Sequence, residues 1–281
     1  MSGTLSQSGR GRGRRAASVM LLAALALLAA CANQGPSIGL ARSPTAEVPT
    51  EGNPSDQSPP RDRAKAHTDL AGAYYQLGNM AVALEELRVA IAADANYAPA
   101  YNVLGLVHAD LRENAEAQAS FERALRIDPA DADTNHNYGL FLCQTGREDQ
   151  SLKYFMTAVR NPLYSTPQKS YSLAAACAMR KGNDRDAQDY YERALKLDPN
   201  YLAAIIGYAQ LKFRRGEVGD SRLLVERFNK ITDPTSESLW LALRIARNLG
   251  DRSGEAGYGA QLRRQYAGSA EYQKLVKGQY D

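Results

Sequence analysis

Residues 123–129 read RALRIDP and residues 193–199 read RALKLDP, so one heptapeptide pattern occurs twice in the chain. Each copy follows an arginine with a small residue, Ala124 or Ala194, and closes on Asp-Pro. Proline cannot continue an α-helical hydrogen-bond ladder, so each copy predicts the end of a helix. The alanine predicts a helix face that approaches a neighbouring helix closely. The two stretches therefore indicate a helical unit that the chain repeats.

The repeat extends outward from these stretches with a period near 34. Pairs of an apolar and a small residue recur at spacings of 34, 34, 36 and 34, with two extra residues near Thr166-Pro167. The pairs are Leu70-Ala71, Leu104-Gly105, Tyr138-Gly139, Ala174-Ala175 and Tyr208-Ala209. Four glycines fall midway through their units, where a helix-to-helix turn needs a left-handed residue: Gly78, Gly146, Gly182 and Gly216. A fixed period of this length predicts stacked helix pairs.

This pattern resembles the tetratricopeptide repeat, a helix-turn-helix unit. The resemblance implies an all-α fold, a right-handed superhelical solenoid of about six repeats that ends in a C-terminal capping helix. We expect the units at about 64–97, 98–131, 132–165, 168–201, 202–235 and 236–269 of a repeat domain spanning 64–281. The sixth unit fits less well, because Glu255 and Gly259 stand where apolar residues are expected.

The first thirty residues have the pattern of an export signal. Four arginines, Arg10, Arg12, Arg14 and Arg15, precede an apolar run at 19–30. Twelve apolar residues are fewer than the roughly 20 that span a bilayer, and a short run behind a cationic segment is typical of a secretory signal peptide. Leu28-Ala29-Ala30-Cys31 resembles the lipobox of bacterial lipoproteins, which implies cleavage at 30 and a covalent lipid, with chains such as palmitate, on Cys31. An ordinary signal peptide with a chance cysteine is the alternative.

A proline-rich tether is predicted at 31–63, where six of the twelve prolines lie. Ala32 follows the cysteine where aspartate would favour inner-membrane retention, so we expect lipid anchoring at the periplasmic face of the outer membrane. The formal charge of the whole chain is +3, but residues 1–30 contain four arginines and no acidic residue, which leaves 30 basic and 31 acidic residues after cleavage. A nearly neutral mature protein gives no reason to expect a nucleic-acid partner.

Catalytic and metal-binding motifs are missing from the sequence. It contains no HExxH, GxSxG, GxxxxGK[ST] or GxGxxG, so we expect no enzyme, no metal and no cofactor beyond the lipid. Cys143 and Cys177 lie on predicted helices of neighbouring units, at positions that differ by two. Because side chains rotate by about 100° per helical residue, they would point about 200° apart, and we predict two buried cysteines rather than a disulfide.

The repeat resemblance also predicts a binding groove. In that family, the second, fifth, ninth and twelfth residues of each first helix line the concave face. In this sequence they give a protein-binding groove of Thr68, Tyr75, Asn102, Leu106, Ala109, His136, Leu140, Met179, Ile206 and Phe213, with Gly72, Asp133, Cys143, Ser172, Ala176 and Gln210 at further positions. Such a small, apolar and nearly uncharged lining suits an amphipathic helix or apolar segment. The alternatives are that these residues belong to the inter-helix core, or that the convex face binds instead.

The lipobox, the tether and about six repeats together resemble the PilF/PilW family of type IV pilus biogenesis lipoproteins, or pilotins. The ending QLRRQYAGSAEYQKLVKGQYD at 261–281 is also similar to that family. The resemblance implies a non-enzymatic, monomeric protein that binds the pilus secretin subunit and promotes its localisation and multimerisation. The alternative is a repeat scaffold lipoprotein for outer-membrane protein insertion or for peptidoglycan enzymes.

Overall fold

The computed structural model describes residues 58–280, which form thirteen α-helices and no strand. The predicted signal peptide, Cys31 and most of the tether lie outside these residues. The helices are α1 Pro60–Gln76, α2 Met80–Ala93, α3 Ala98–Asp110, α4 Asn114–Ile127, α5 Ala132–Gln144, α6 Glu148–Arg160, α7 Pro167–Arg180, α8 Asp184–Leu197, α9 Leu202–Arg214, α10 Val218–Ile231, α11 Ser236–Asn248, α12 Arg252–Gln265 and α13 Ala270–Val276. Helices α1 to α12 pack as six consecutive pairs, so the predicted all-α stack of helix pairs is confirmed.

Helix α1 begins earlier than the repeat pattern predicts. Its first residue is Pro60 rather than Ala64, so the predicted tether overlaps the helix. Proline suits the first helical position, because the N–H that it lacks would have no intrahelical partner there.

A left-handed residue closes the turn within each of the six pairs. The four predicted glycines have φ between +74° and +84°, and Gly250 has φ +72°. The turn between α3 and α4 has Arg112 instead, with φ +64°. Its backbone bonds are those of the other turns, since the Glu113 N–H donates to the His108 carbonyl at 2.9 Å. An arginine in this conformation costs about 1 kcal/mol or more. A search for turn glycines misses the α3–α4 turn because its left-handed residue is an arginine.

Helix pairs are joined by short linkers that a side chain closes. Asp94, Asp128, Asn161 and Asp198 each stand directly after the second helix of a pair, and each accepts the backbone N–H two residues later, at 2.8–3.0 Å. The linker after α6 runs over 161–166, two residues longer than the other four, and so contains the predicted insertion. The helices therefore end at an Asx turn, and the Asp-Pro of the repeat is one version of it.

The cores of the second and third units each contain a close contact between a glycine and a phenylalanine. A Cβ added at Gly105 would lie 2.7 Å from Cδ1 of Phe121, and one at Gly139 would lie 3.0 Å from Cδ1 of Phe155. Both phenylalanines are fully buried. The glycines are therefore required because the aromatic ring of the second helix rests on the backbone of the first.

Gly105→Ala tests this close contact. Overpacking costs about 1–3 kcal/mol and the better helix propensity of alanine returns up to about 1 kcal/mol, so we expect a net loss of about 1 kcal/mol or more. Urea unfolding followed by circular dichroism measures it. Gly72→Ala in α1 is the matched control, because among the described residues nothing lies within 4 Å of its added Cβ, and it should stabilise the fold. Stabilisation by both variants would contradict the contact.

A disulfide joins Cys143 of α5 to Cys177 of α7, with their Cα atoms 6.0 Å apart. The prediction of two unbridged cysteines is therefore wrong, although both are buried. The error lies in the geometry. Helices α5 and α7 pack side by side and meet through opposite flanks, so two side chains face each other when their directions differ by about 180°. The two side-chain directions differ by about 200°, which is close to the 180° that lets the cysteines of neighbouring helices face each other.

The last helices close the end of the stack. Helix α13 packs against α11 and α12, and the position of Gly259 leaves room for Leu275, whose Cδ2 would lie 3.5 Å from an added Cβ. The carboxylate of Glu255 lies 2.7 Å from Nη1 of Arg247. The two residues that fit the repeat poorly thus contact the C-terminal helix and a charged partner.

Within residues 58–280, no helix has the length and apolar character needed to cross a bilayer.

Candidate functional site: a groove along the first helices

A groove runs along the first helices of the C-terminal units, and we call it the first-helix groove. It consists of two adjoining depressions of about 440 and 910 Å³. Met179 and Arg214 line both. The smaller depression is otherwise lined by Leu140, Cys143, Gln144, Leu173, Ala176, Cys177 and Arg180, and the larger by Gln210, Phe213, Ser236, Glu237, Trp240, Leu241, Arg244, Glu271 and Lys274. The smaller depression therefore has an apolar floor that includes the disulfide, whereas polar and charged side chains make up most of the lining of the larger one.

Three of the ten predicted groove residues line this groove: Leu140, Met179 and Phe213. Three others are buried, and we assign these to the inter-helix core. Thr68 is 4% exposed and donates to the Ala64 carbonyl of its own helix at 2.7 Å. Asn102 is 9% exposed and accepts from Asn137 at 3.0 Å. Ile206, 8% exposed, packs with α10 and α11.

The N-terminal members are half-buried. The Tyr75 hydroxyl donates to the carboxylate of Asp110 at 2.7 Å, which links α1 to α3. Burial and this bond raise the pKa of Tyr75 to about 12, so the phenol stays protonated. Leu106 and Ala109 pack against the buried cluster around Phe121. A ligand could reach these side chains only in part, and their role in binding stays a prediction.

His136 belongs to a hydrogen-bonded contact between α5 and α7. Its Nδ1 lies 2.7 Å from Ser170 Oγ, and Ser170 Oγ lies 3.1 Å from the Tyr164 hydroxyl. The rings of Phe155 and Tyr164 lie 5.9 and 6.1 Å away. Burial lowers the pKa of His136 to about 4, with a smaller effect from Lys169. The imidazole is neutral at pH 7 and holds the inserted linker in place.

Two arginines, Arg180 and Arg214, line the groove, although the sequence predicted a nearly uncharged lining. The Arg180 guanidinium donates to the Cys143 carbonyl at 2.9 Å, and that of Arg214 donates to the Met179 carbonyl at 2.8 Å. Each arginine thus binds the C-terminal end of the preceding first helix, where carbonyls lack intrahelical partners. They occupy the thirteenth position of their repeat units, 168–201 and 202–235, which the positions used for the sequence prediction do not include.

The sixth unit contributes residues that the same positions would have found. Counted from Ser236, the second, fifth, ninth and twelfth residues are Glu237, Trp240, Arg244 and Arg247. The first three line the larger depression. The prediction missed them because the groove positions were carried through five units only, although the sequence already assigned a sixth.

A separate cavity of about 410 Å³ lies between α10, α11 and α12. Val225, Ala242, Ile245 and Tyr258 form its apolar wall, and Arg222, Glu226 and Asp251 are among its polar residues. It lies on a different side of α11 from the groove, so the repeat domain has a second concave surface.

Among residues 58–280, no three His, Cys, Asp or Glu side chains converge on a possible metal site.

Known proteins share the repeat, and two solved structures share the fold over most of this chain. The family described as the tetratricopeptide repeat matches residues 98–131 and 168–201. The type IV pilus assembly protein PilF of Pseudomonas aeruginosa is 29% identical over 224 residues, which cover 79% of this chain and 89% of that protein. The crystal structure of PilW, described as a widely conserved type IV pilus biogenesis factor, superposes with a TM-score of 0.71 at 29% identity, over 76% of this chain and 98% of PilW.

The chain is a tetratricopeptide-repeat homologue of PilF and PilW. The structure of Pseudomonas aeruginosa PilF gives the same TM-score of 0.71 at 27% identity and is matched over its whole length, with 79% of this chain covered. The predicted resemblance to the PilF/PilW family is thereby confirmed, and so is the tetratricopeptide-repeat fold. This homology supports a role in type IV pilus biogenesis, and a scaffold that binds other proteins rather than one that carries out a reaction.

Proposed function

We propose that this protein is a lipid-anchored pilotin that binds the type IV pilus secretin subunit and promotes its localisation and multimerisation at the outer membrane. The observation that carries the proposal is the homology to PilF, which extends over 79% of this chain and 89% of PilF. In this role the protein is a monomer and catalyses no reaction.

The first-helix groove supports binding of a protein segment. Its floor is apolar at Leu140, Leu173 and Met179, while Arg180 and Arg214 stand along its edge. A helix or extended segment with an apolar face would bury that floor. The two arginines border it and pair with Glu148 and Asp184 of this chain.

The disulfide supports export from the cytoplasm. Disulfides persist in oxidising compartments such as the bacterial periplasm and are rare in the cytosol. Cys143 and Cys177 are bonded, and Cys31, the remaining cysteine, follows the predicted signal peptide. Acyl chains on Cys31 would then hold the repeat domain, and any secretin subunit bound to it, at the membrane, and so raise the local concentration for assembly.

Complementation of a deletion strain tests the proposal. Secretin multimers on gels should fall in the deletion strain, return with the wild-type gene, and stay low with Leu140→Glu/Met179→Glu, because two carboxylates would lie in the apolar floor. Leu223→Glu is the matched control, since Leu223 is 60% exposed on α10, away from the groove. Circular dichroism of each purified variant confirms folding. Unchanged multimers in the deletion strain would refute a pilotin role.

Cell fractionation tests the anchor separately. Cys31→Ser should leave the repeat domain folded but release it from the outer-membrane fraction into the soluble periplasm, because the acylated thiol is removed. An unchanged distribution would contradict lipidation at Cys31 while leaving the groove prediction intact.

A further inference from the structure

We propose that Trp240, Arg244 and Arg247 of α11 form a recognition site for an aromatic residue within an extended segment of a partner protein, and that Tyr280 of this chain occupies the site as a built-in competitor. The inference does not rest on the secretin as partner, because it follows from a contact within this chain.

Tyr280 makes three kinds of contact with α11. Its ring stacks on the Trp240 indole, with centroids 5.7 Å apart and planes 18° from parallel. The guanidinium carbon of Arg247 lies 4.0 Å from the centroid of the same ring, in cation–π contact. The Nε–H of Arg244 donates to the Tyr280 main-chain carbonyl at 2.8 Å. An aromatic ring and the backbone of the same residue are therefore both recognised.

The site is built on one face of one helix. Residues 240, 244 and 247 follow the i, i+4, i+7 spacing, which places them in a row, about 10 Å from first to last. They are also the fifth, ninth and twelfth residues of the sixth first helix, so this row continues the first-helix groove. The Arg244 guanidinium lies 4.7 Å from the ring centroid of Phe213 on α9, which holds it between the two helices.

Two depressions adjoin Arg244. Phe213 and Arg244 line the larger groove depression, and they also line a depression of about 300 Å³ whose other walls are Arg247, Asn248 and Tyr280. A segment lying in the groove could therefore extend from Met179 to the position that the Tyr280 ring occupies.

Tyr280 lies on a short segment beyond the last helix. Helix α13 packs through Tyr272 and Leu275 against the buried cluster that includes Trp240, so α13 itself belongs to the end of the stack. The chain turns at Gly278, with φ +66°, and residues 279 and 280 belong to no helix. Displacing residues 279 and 280 by rotation at Gly278 would thus uncover the α11 site while α13 stays packed on the stack.

A tethered competitor sets a threshold for the partner. A ligand joined by a short linker acts at an effective concentration of about 1 mM, so a free aromatic residue with few other contacts cannot displace it. A partner segment that also fills the first-helix groove gains the additional contacts that displacement requires. The tail therefore selects segments that combine an aromatic residue with a groove-binding stretch.

The test removes the Tyr280 ring from the chain and supplies it again on a separate peptide. In the full mature chain carrying Tyr280→Ala, the acetylated peptide KGQYD, copied from residues 277–281, should bind and change the fluorescence of Trp240, the single tryptophan of the chain. The wild-type chain should bind it at least roughly tenfold more weakly, because its own Tyr280 competes. Gln279→Ala, which keeps the ring, is the matched control and should behave as wild type, and the peptide KGQAD should not bind.

A second substitution in the Tyr280→Ala chain tests whether the peptide binds at the α11 site or elsewhere on the surface. Arg247→Ala should weaken peptide binding, whereas Arg252→Ala, an exposed arginine on α12, should not. Equal binding of KGQYD and KGQAD to Tyr280→Ala would overturn the proposal. A concentration-dependent dimer of the wild-type chain that Tyr280→Ala abolishes would also overturn it, since the occupant would then be a second copy.

Discussion

Removal of the Cys143–Cys177 disulfide should lower the free energy of unfolding by about 2–4 kcal/mol. The bridge closes a loop across a sequence separation of 34 residues, and the chain-entropy relation gives close to 4 kcal/mol for a loop of that length. Urea unfolding of the purified repeat protein with and without a reductant measures the difference. Reduction should also raise the intact mass by about 2 Da.

The matched control is the double variant Cys143→Ser/Cys177→Ser. Its stability should equal that of the reduced wild type within about 1 kcal/mol and should not respond to the reductant, because no bridge is left to break. A mass that does not change on reduction of the wild type would show that the two thiols are free in solution.

Acid should destabilise the protein through His136. The pKa of this buried imidazole is about 4 in the folded chain, against 6.5 for an ordinary histidine. In the unfolded chain His136 is protonated below about pH 6.5, whereas in the folded chain it is protonated only below about pH 4. The resulting loss in the free energy of unfolding is therefore absent at pH 7.5 and grows as the pH falls. At pH 5 it amounts to about 2 kcal/mol.

The measurement is the free energy of unfolding at pH 7.5 and pH 5 for the wild type and two variants. His136→Gln removes the titrating group, and it should lose less stability than the wild type over this interval even if its starting value is lower. His67→Gln is the control, because His67 lies on α1 against Glu86, away from α5 and α7, and it should keep the wild-type loss. Equal losses in all three proteins would show that His136 does not cause the acid sensitivity.

The fold could be predicted because its determinants are local. Gly105 and Phe121 are sixteen positions apart in one unit, and the same spacing relates Gly139 to Phe155, so a single chain shows the contact more than once. Arg112 could not be predicted to take a left-handed conformation, since the side chain resists it and only the surrounding helix pair imposes it.

The site could be predicted only in part, because repeat positions do not specify what a side chain meets across the stack. Thr68 and Ile206 stand at groove positions but are buried, since burial also depends on the neighbouring unit. The contact of Tyr280 with Trp240 joins the chain end to the sixth unit, and no periodic pattern covers a residue outside the repeats. The disulfide required the relative placement of α5 and α7, which the positions within each helix do not supply.

The Asx turns between helix pairs also bear on how the groove could accommodate a ligand. At four of the five linkers between units, an aspartate or asparagine side chain fixes the backbone at the joint, and at the fifth, Thr235 and Ser238 form a reciprocal capping box. Such joints resist the hinge motion by which other clefts widen or narrow around a bound molecule. Adaptation to different sequences would then depend on the flexible Met179 side chain in the floor, which can change rotamer while the helices keep their spacing.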